Sequence, residues 1–595
     1  MGNEIRYTKA ISDFLSQDKF QYPDTLTGFL EYSVKKFGDR PAMNKAFEKP
    51  ITYNEFYKAV INISKLLLEQ GVMKGDRIAI LGENSPQWGI VFFASIWTGA
   101  AAVPILPDFP EADIHHIFSD SEAKILFITH KQLEKLGELK NVKFKSIIMM
   151  DEIPLDFHKI NDIRKEFFSE IFNKAMNLIK RIPGSIGLVS REISENDTVS
   201  IIYTSGTSGH SKAVMLTHKN LISNVVAVKL LAEIFPGDTF LSILPLSHTY
   251  EFTFGFLLAL IHGARIVYLG KAPSPSILEK ICAVEKPTLI CSVPLILEKI
   301  YKKKVLPVLE KNLAIKLITK IPVIKETIYK KINKKLIDFF GGHLRLMAVG
   351  GAPFNQKAEK FFHDAGFPYI VGYGLTEASP LLAGGPVGDK TIKVTSTGKI
   401  VPGCELKIQG MNPKTGIGDI YARGPNIMKG YFKNPKLTAE ILDKDGWLKT
   451  GDLGCFDKYG NLYIKGRSKN LILMSNGENI YPETVEEKLN SCPLVLESLV
   501  TENNNHLEAW VYLDYESIDA ETNGKTELQR MAYIKKILAN TKECVNSKLP
   551  SFSKLTYISE QKEPFVKTPT QKIKRYLYIH PQQKGNSHIS ININD

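Results

Sequence analysis

Short apolar runs alternate with longer stretches of helical period over most of the chain. Arg77-Ile78-Ala79-Ile80-Leu81, Ile125-Leu126-Phe127-Ile128 and Ser146-Ile147-Ile148-Met149-Met150 are of strand length, and continuously apolar strands are those covered on both faces. Beside them, Tyr53–Gln70 spaces its apolar residues as an amphipathic helix does. The alternation predicts an α/β fold, a large N-terminal domain of mixed, mostly parallel sheets packed with helices. Gly-rich turns after strand-like runs continue to Gly424, and from about Asp457 the texture changes. The remainder is long enough for a small, mobile C-terminal α+β domain. The expected boundaries are 1–466 for the large domain and 467–580 for the small one. The stretch 581–595, rich in Asn, Ser and Gln, is expected to be a disordered tail.

One uncharged stretch needs a decision. No charge occurs between Glu83 and Asp108, which is long enough for a membrane span. Pro86, Pro104 and Pro107 bracket it, and Gly99-Ala100-Ala101-Ala102 interrupts it. The expectation is a buried helix over Trp88–Thr98 followed by a buried strand over Ala101–Leu106.

The chain has 595 residues, 44% hydrophobic and 23% charged. That excludes a mainly disordered chain and a collagen, and the length exceeds one compact core. The 76 Lys+Arg against 63 Asp+Glu give +13. Nucleotides and membrane surfaces, rather than nucleic acid, are the anionic partners expected. Cys282, Cys291, Cys404, Cys455, Cys492 and Cys544 are scattered without metal-ligand spacing, as expected of reduced thiols in a cytoplasmic protein. Met1–Arg6 lacks the apolar core of a signal peptide, and Arg6 replaces the Ser or Thr of a myristoylation motif. Two inserts stand out, Phe167–Leu188 with helical spacing and the Lys-dense Lys299–Lys335. The second is either a solvated basic helix pair or a contact for an anionic membrane surface or CoA phosphates.

Four segments carry chemistry. The run Val199–Ile202 reads as a strand and leads into Tyr203-Thr204-Ser205-Gly206-Thr207-Ser208-Gly209-His210-Ser211-Lys212. Small hydroxyl residues and glycines offer many donors, and the Lys adds charge, which suits a polyphosphate. It is not the Walker arrangement, because five residues separate Gly206 from Lys212 and Ser211 precedes the Lys. Second, a strand over Leu344–Val349 enters Gly350-Gly351-Ala352-Pro353, and Gly372-Tyr373-Gly374-Leu375-Thr376-Glu377 follows. Its glycines would let a flat base approach the backbone, and Thr376 beside Glu377 suits a phosphate and Mg²⁺. Third, Thr450-Gly451-Asp452 places a carboxylate after a tight turn, where it can accept ribose hydroxyls or cap a turn, and Gly466-Arg467-Ser468-Lys469 follows. Fourth, Pro564–Arg575 is a basic loop containing Lys572.

In this order and spacing the segments resemble the adenylate-forming superfamily, which includes acyl-CoA synthetases, luciferases and peptide-synthetase adenylation domains. The resemblance runs from about Thr25 to Leu577. The family phosphate loop matches Thr204–Ala213, with Ser208 for Thr, Ser211 for Pro and Ala213 for Gly. The resemblance implies that Thr204, Ser205, Gly206, Thr207, Ser208, Gly209 and Lys212 hold the ATP phosphates. Gly351, Ala352, Pro353, Gly372, Tyr373 and Gly374 would line the adenine. Thr376 would meet the adenylate phosphate, Glu377 with Thr204 would hold Mg²⁺, and Asp452 and Arg467 would hold the ribose. Lys469 looks like the hinge residue. Lys572 looks like the C-terminal catalytic lysine, although Gln571 replaces the Gly usual before it. Leu244-Pro245-Leu246-Ser247-His248-Thr249-Tyr250-Glu251 resembles the segment that opens the acyl pocket, with His248 near the substrate carboxylate or satisfied in the core.

The segment's final Glu251 and the Lys299–Lys335 insert favour the long-chain fatty acyl branch. The resemblance therefore implies an AMP-forming fatty acid–CoA ligase using ATP, Mg²⁺ and CoA. The apolar run Phe252–Leu258 would be tunnel wall, ordinary core, or both. Two rivals stand beside it: the same adenylation with a carrier-protein thiol as acceptor, and a non-catalytic lipid-binding relative. The expected location is cytoplasmic with peripheral membrane contact.

Overall fold

The computed structural model describes residues 23–137, 143–155, 192–204, 211–270, 274–310, 321–474, 478–568 and 572–578. The Phe167–Leu188 insert and the 581–595 tail lie outside these. Two large mixed sheets carry the N-terminal part. The first has seven strands in the order Gly430–Tyr431, Lys212–Thr217, Thr198–Thr204, Ala101–Ile105, Arg77–Leu81, Ile125–Ile128, Ser146–Met149. Its links are parallel from Thr198–Thr204 onward and antiparallel before it. The second has eight strands, Leu381–Gly384, Tyr369–Gly374, Leu346–Val349, Leu289–Ser292, Thr239–Ser242, Arg265–Tyr268, Pro41–Lys45, Ile51–Thr52. Only its two edge pairings are antiparallel. The expected mostly parallel sheets are present.

The uncharged stretch becomes the helix Pro86–Trp97, started by Pro86 and by Ser85, whose side chain accepts from the Trp88 N–H. Every residue from Pro86 to Ile96 is buried, so the helix has no polar face because it has no solvent face. Among the described residues no helix is long and apolar enough to cross a membrane. Tyr53–Glu69, the amphipathic helix beside it, begins with a capping box between Thr52 and Glu55. Between these helices and Glu251–Leu257, a fully buried π-helical segment, an aromatic cluster closes the core. Trp88 stacks on Phe92 at 5.8 Å, and Phe92 meets Phe252 at 4.4 Å. A Cβ on Gly89 would stand 2.8 Å from the Phe256 ring, so Gly89 is required by packing.

A four-stranded antiparallel sheet follows, Glu405–Gln409, Gly418–Arg423, Leu448–Phe456 and Leu462–Arg467. The C-terminal part has a core of its own. Strand Val495–Asn503 turns through Asn504 and Asn505, both at positive φ, into His506–Leu513. Two such residues make the tight turn that matches strand twist. Tyr557–Gln561 adds in parallel. Helices Pro482–Asn490 and Glu527–Asn546 supply Val485, Leu489, Ile534 and Leu538 to the same core as Val500 and Val511.

Candidate active site

Thr204 and Lys212 face each other across the antiparallel pair that ends the first sheet. The connecting residues Ser205, Gly206, Thr207, Ser208 and Gly209 lie outside the described residues. Lys212 sits at the mouth of this hairpin, its ammonium 5.3 Å from the centroid of Tyr431. Tyr431 lies on the short strand that pairs beside Lys212–Thr217. Its hydroxyl donates to Glu377 Oε1 at 2.8 Å. Glu377 occupies a single 3₁₀ turn, Thr376–Ala378, between the two strands at the edge of the second sheet. The Lys212 ammonium is pushed down by desolvation, opposed by Glu377 and reinforced by Lys469 and Arg467. Lys212 therefore lies within electrostatic reach of the other three charges.

Asp452 is the second focus. Gly451, at φ 75°, turns the backbone, and the Asp452 N–H donates to Thr450 Oγ1 at 3.1 Å. The carboxylate is buried, with both oxygens in use: the Tyr373 hydroxyl donates to Oδ2 at 2.7 Å, and Arg467 Nε contacts Oδ1 at 2.7 Å. Arg467 is the cross-strand neighbour of Asp452, so the antiparallel register creates the pair. Burial pushes the Asp452 carboxyl up, while Arg467, Tyr373 and Lys572 pull it back. Each oxygen retains acceptor capacity for a further donor.

Two of the glycines also sit against a close return of the chain. A Cβ on Gly374 would fall 1.9 Å from the Pro380 carbonyl oxygen, and one on Gly372 would fall 2.9 Å from Leu381 Cδ1. The close return of the backbone at Pro380 requires Gly374, whereas a side chain at 372 would displace the end of Leu381. Gly351, at φ 85°, turns the backbone beyond the strand Leu346–Val349, and Gly351, Ala352 and Pro353 stand exposed beside Tyr373's strand.

His248 is half-buried. Its Nδ1 accepts the Tyr250 N–H at 3.2 Å, which leaves Nε2 as the protonated nitrogen. Desolvation pushes its pKa down to about 4, and Lys572 adds to the shift. Lys572 thus reaches the same place from the C-terminal part. A bridge between Lys567 and Ile573 closes its loop, and the Thr568 N–H donates to the Lys572 carbonyl at 2.8 Å. Lys567 anchors the loop to Glu497 at 2.6 Å, and Arg575 binds Glu486. Desolvation and Arg467 push the Lys572 ammonium down, while Asp452 and Glu377 oppose. Much of the residue's surface is open, so water softens the shift.

Direct contacts thus join Lys212 and Glu377 through Tyr431, and Asp452 to Tyr373 and Arg467, while Lys469, Lys572 and, through Lys572, His248 lie within electrostatic reach of these groups. Tyr431 was not legible in the sequence. It stands 219 positions beyond Lys212 and follows an ordinary Gly, and only the strand pairing carries it to Glu377.

The family model for AMP-binding enzymes matches residues 30–432. Fatty acyl-CoA synthetase A of Dictyostelium discoideum is 29% identical over 89% of this chain and 84% of its own length. Long chain acyl-CoA synthetase 6, peroxisomal, of Arabidopsis thaliana is 27% identical over 82% and 73%. ATP-bound MatB from Rhodopseudomonas palustris superposes with a TM-score of 0.72 at 20% identity, covering 93% of this chain and 98% of that one. O-succinylbenzoate coenzyme A synthetase (MenE) from Bacillus subtilis, in complex with AMP, gives 0.69 at 22%, covering 94% and 98%. The match spans both large sheets and the turn that carries Glu377, and on it the chain belongs to the AMP-binding enzyme family.

Proposed function

We propose that the chain is a long-chain fatty acid–CoA ligase. The observation that carries this reading is that Lys572, from the C-terminal part, lies within electrostatic reach of Glu377, of the Asp452–Arg467 pair and of His248. Relatives named as fatty acyl-CoA synthetases support the substrate class.

A carboxylate is a poor acyl donor because its oxygen leaves badly. The fatty carboxylate attacks the α-phosphorus of ATP, pyrophosphate leaves, and an acyl-AMP mixed anhydride forms. The CoA thiol then attacks the carbonyl and AMP leaves. Both steps crowd negative groups, so cations and positioning dominate. We assign Lys212 and the Thr204–Gly209 loop to the departing phosphates. Lys572 bridges the carboxylate and the α-phosphate, with Thr376 on that phosphate. Asp452 and Arg467 take the ribose, and Tyr373 with Gly351–Pro353 takes the base. His248, neutral and donating through Nε2, faces the substrate carboxylate.

Among the described residues no group of three His, Cys, Asp or Glu could hold a metal. Mg²⁺ takes one or two carboxylates and completes its shell with substrate phosphates and water, so it requires no such group. Glu377, with one oxygen held by Tyr431, and Thr204 would hold it, and it would neutralise phosphate charge.

We further assign 1–466 and 467–580 to two bodies that move about Lys469 between the half-reactions, because the thiol and the Lys572 loop need the same carbonyl. The Lys299–Lys335 region supports peripheral membrane contact, since Ile321 and Val323 stand 50% and 75% exposed among its lysines. The test is a panel of fatty acids with ATP and either CoA or a holo-carrier protein, following AMP and thioester. Long-chain acyl-CoA is the expected product. Thioester on the carrier alone would favour the carrier reading, and no AMP release with any acid would overturn the ligase.

A further inference from the structure

Away from the cleft, Cys492 and Cys544 form a pair that the proposed reaction does not use. Cys492 follows the helix Pro482–Asn490, and Cys544 lies near the end of Glu527–Asn546. The two helices are in contact, and both side chains pack into the same C-terminal core. Lys548, one turn beyond Cys544, donates its Nζ to Cys544 Sγ at 3.1 Å. Cys492 is buried and its Sγ also donates to the Lys488 carbonyl at 3.4 Å, whereas Cys544 is half-buried. Lys357 crosses from the helix Gln356–Ala365 to donate its Nζ to the Ser491 carbonyl at 2.9 Å, beside the pair.

The two sulfurs are unequal. The Lys548 contact pulls the Cys544 thiol below the usual range, helped by Cys492 and by the Lys357 charge. Burial and the neighbouring sulfur push Cys492 up to about 11. The other four cysteines are all pushed upward by burial. A thiol in contact with an ammonium that favours its thiolate, packed beside a more buried thiol, is the arrangement of an attacking and a resolving sulfur.

We propose that Cys544 and Cys492 are a peroxide-sensitive thiol pair, with Cys544 attacking and Cys492 resolving. The Cys544 thiolate attacks one oxygen of hydrogen peroxide, the O–O bond breaks, and hydroxide leaves to take a proton as water. Cys544 becomes a sulfenic acid, oxidised by two electrons while the peroxide is reduced. The Cys492 sulfur then attacks the sulfenic sulfur, the S–O bond breaks, and the hydroxyl departs as water with the Cys492 proton. Two thiols and one peroxide give one disulfide and two waters, and a thiol reductant restores the pair. The disulfide ties the end of one C-terminal helix to the other, beside the contact from Lys357.

The test exposes the full chain to hydrogen peroxide and maps its cysteines by differential alkylation and mass spectrometry. The expected result is a Cys492–Cys544 crosslinked peptide, formed before the other cysteines react and reversed by dithiothreitol. Cys492→Ser should stop at a dimedone-reactive sulfenic acid on Cys544. Lys548→Gln should slow the first step several-fold. Oxidation of Cys455 at an equal rate, or absence of the crosslink in the unsubstituted chain, would overturn the proposal. Both of those outcomes are read on the unsubstituted chain, so they hold even if a variant fails to fold.

Discussion

Arg467→Gln should move the acid limb of nucleotide binding upward in pH. Asp452 is buried, its carboxyl already raised by desolvation and held down chiefly by Arg467. A raised acid is charged, and able to accept ribose hydroxyls, only above its folded pKa, so binding is lost as pH falls through that value. Removing Arg467 removes the leading stabiliser of the charge. A hydrogen bond to a charged group contributes about 1.5–3 kcal/mol, and about 1.4 kcal/mol is one pH unit. The Arg467 side chain is 44% exposed, so the lower end applies and the limb should rise by about one pH unit. The stability sign is opposite: a carboxyl raised in the fold costs stability once pH passes its unfolded value, and the substitution enlarges that cost. The assay is AMP affinity by calorimetry from pH 4 to pH 8 in both proteins. Lost affinity at the plateau reports Arg467's own contact, whereas the midpoint reports Asp452. A midpoint that stays put or falls would refute the reasoning.

Lys572→Ala should lose adenylation by about 100-fold or more, yet still convert supplied acyl-AMP to thioester. Lys469→Pro, which restricts the hinge backbone, should form acyl-AMP and stall before thioester, and equal slowing of both half-reactions in both variants would remove the two-body assignment. Glu377→Gln should abolish most pyrophosphate release in a folded protein. Tyr431→Phe deletes only the donor to Oε1 and should cost about 1 kcal/mol, or about 5-fold; a larger loss in Tyr431→Phe than in Glu377→Gln would reverse their assigned importance. Replacing Lys302, Lys303 and Lys304 with Gln should weaken sedimentation with anionic vesicles at low salt by at most about 1 kcal/mol per lysine. Lys304 should matter least because it pairs with Glu279 at 3.2 Å and lies over Phe339, and equal sedimentation with neutral vesicles would count against membrane contact.

Local pattern was enough for elements whose apolar residues are continuous. The strands Arg77–Leu81 and Ile125–Ile128 and the core helix Pro86–Trp97 form where the runs predict them because they are buried on every side, and Ser146–Met149 forms there too, as an edge strand with Ile147 exposed. Motif placement was legible where one turn holds it, as with Thr376-Glu377 and Thr450-Gly451-Asp452. What depends on cross-strand register was not. The coupling of Asp452 to Arg467, the Tyr373 hydroxyl on the same carboxylate, and Tyr431 on Glu377 all arise from pairings between distant segments. The glycine at 374 was visible, but the return of the Pro380 backbone against it was not. Likewise, the scattered cysteine spacing conceals the meeting of Cys492 and Cys544 between two helices.

The most direct measurement is exchange of labelled pyrophosphate into ATP, with and without a long-chain fatty acid and without CoA. If the cleft joins a fatty carboxylate to the α-phosphate, exchange should depend on the acid, require Mg²⁺, and disappear in Lys572→Ala. Exchange that ignores the fatty acid, or that survives unchanged in Lys572→Ala, would contradict the proposed chemistry.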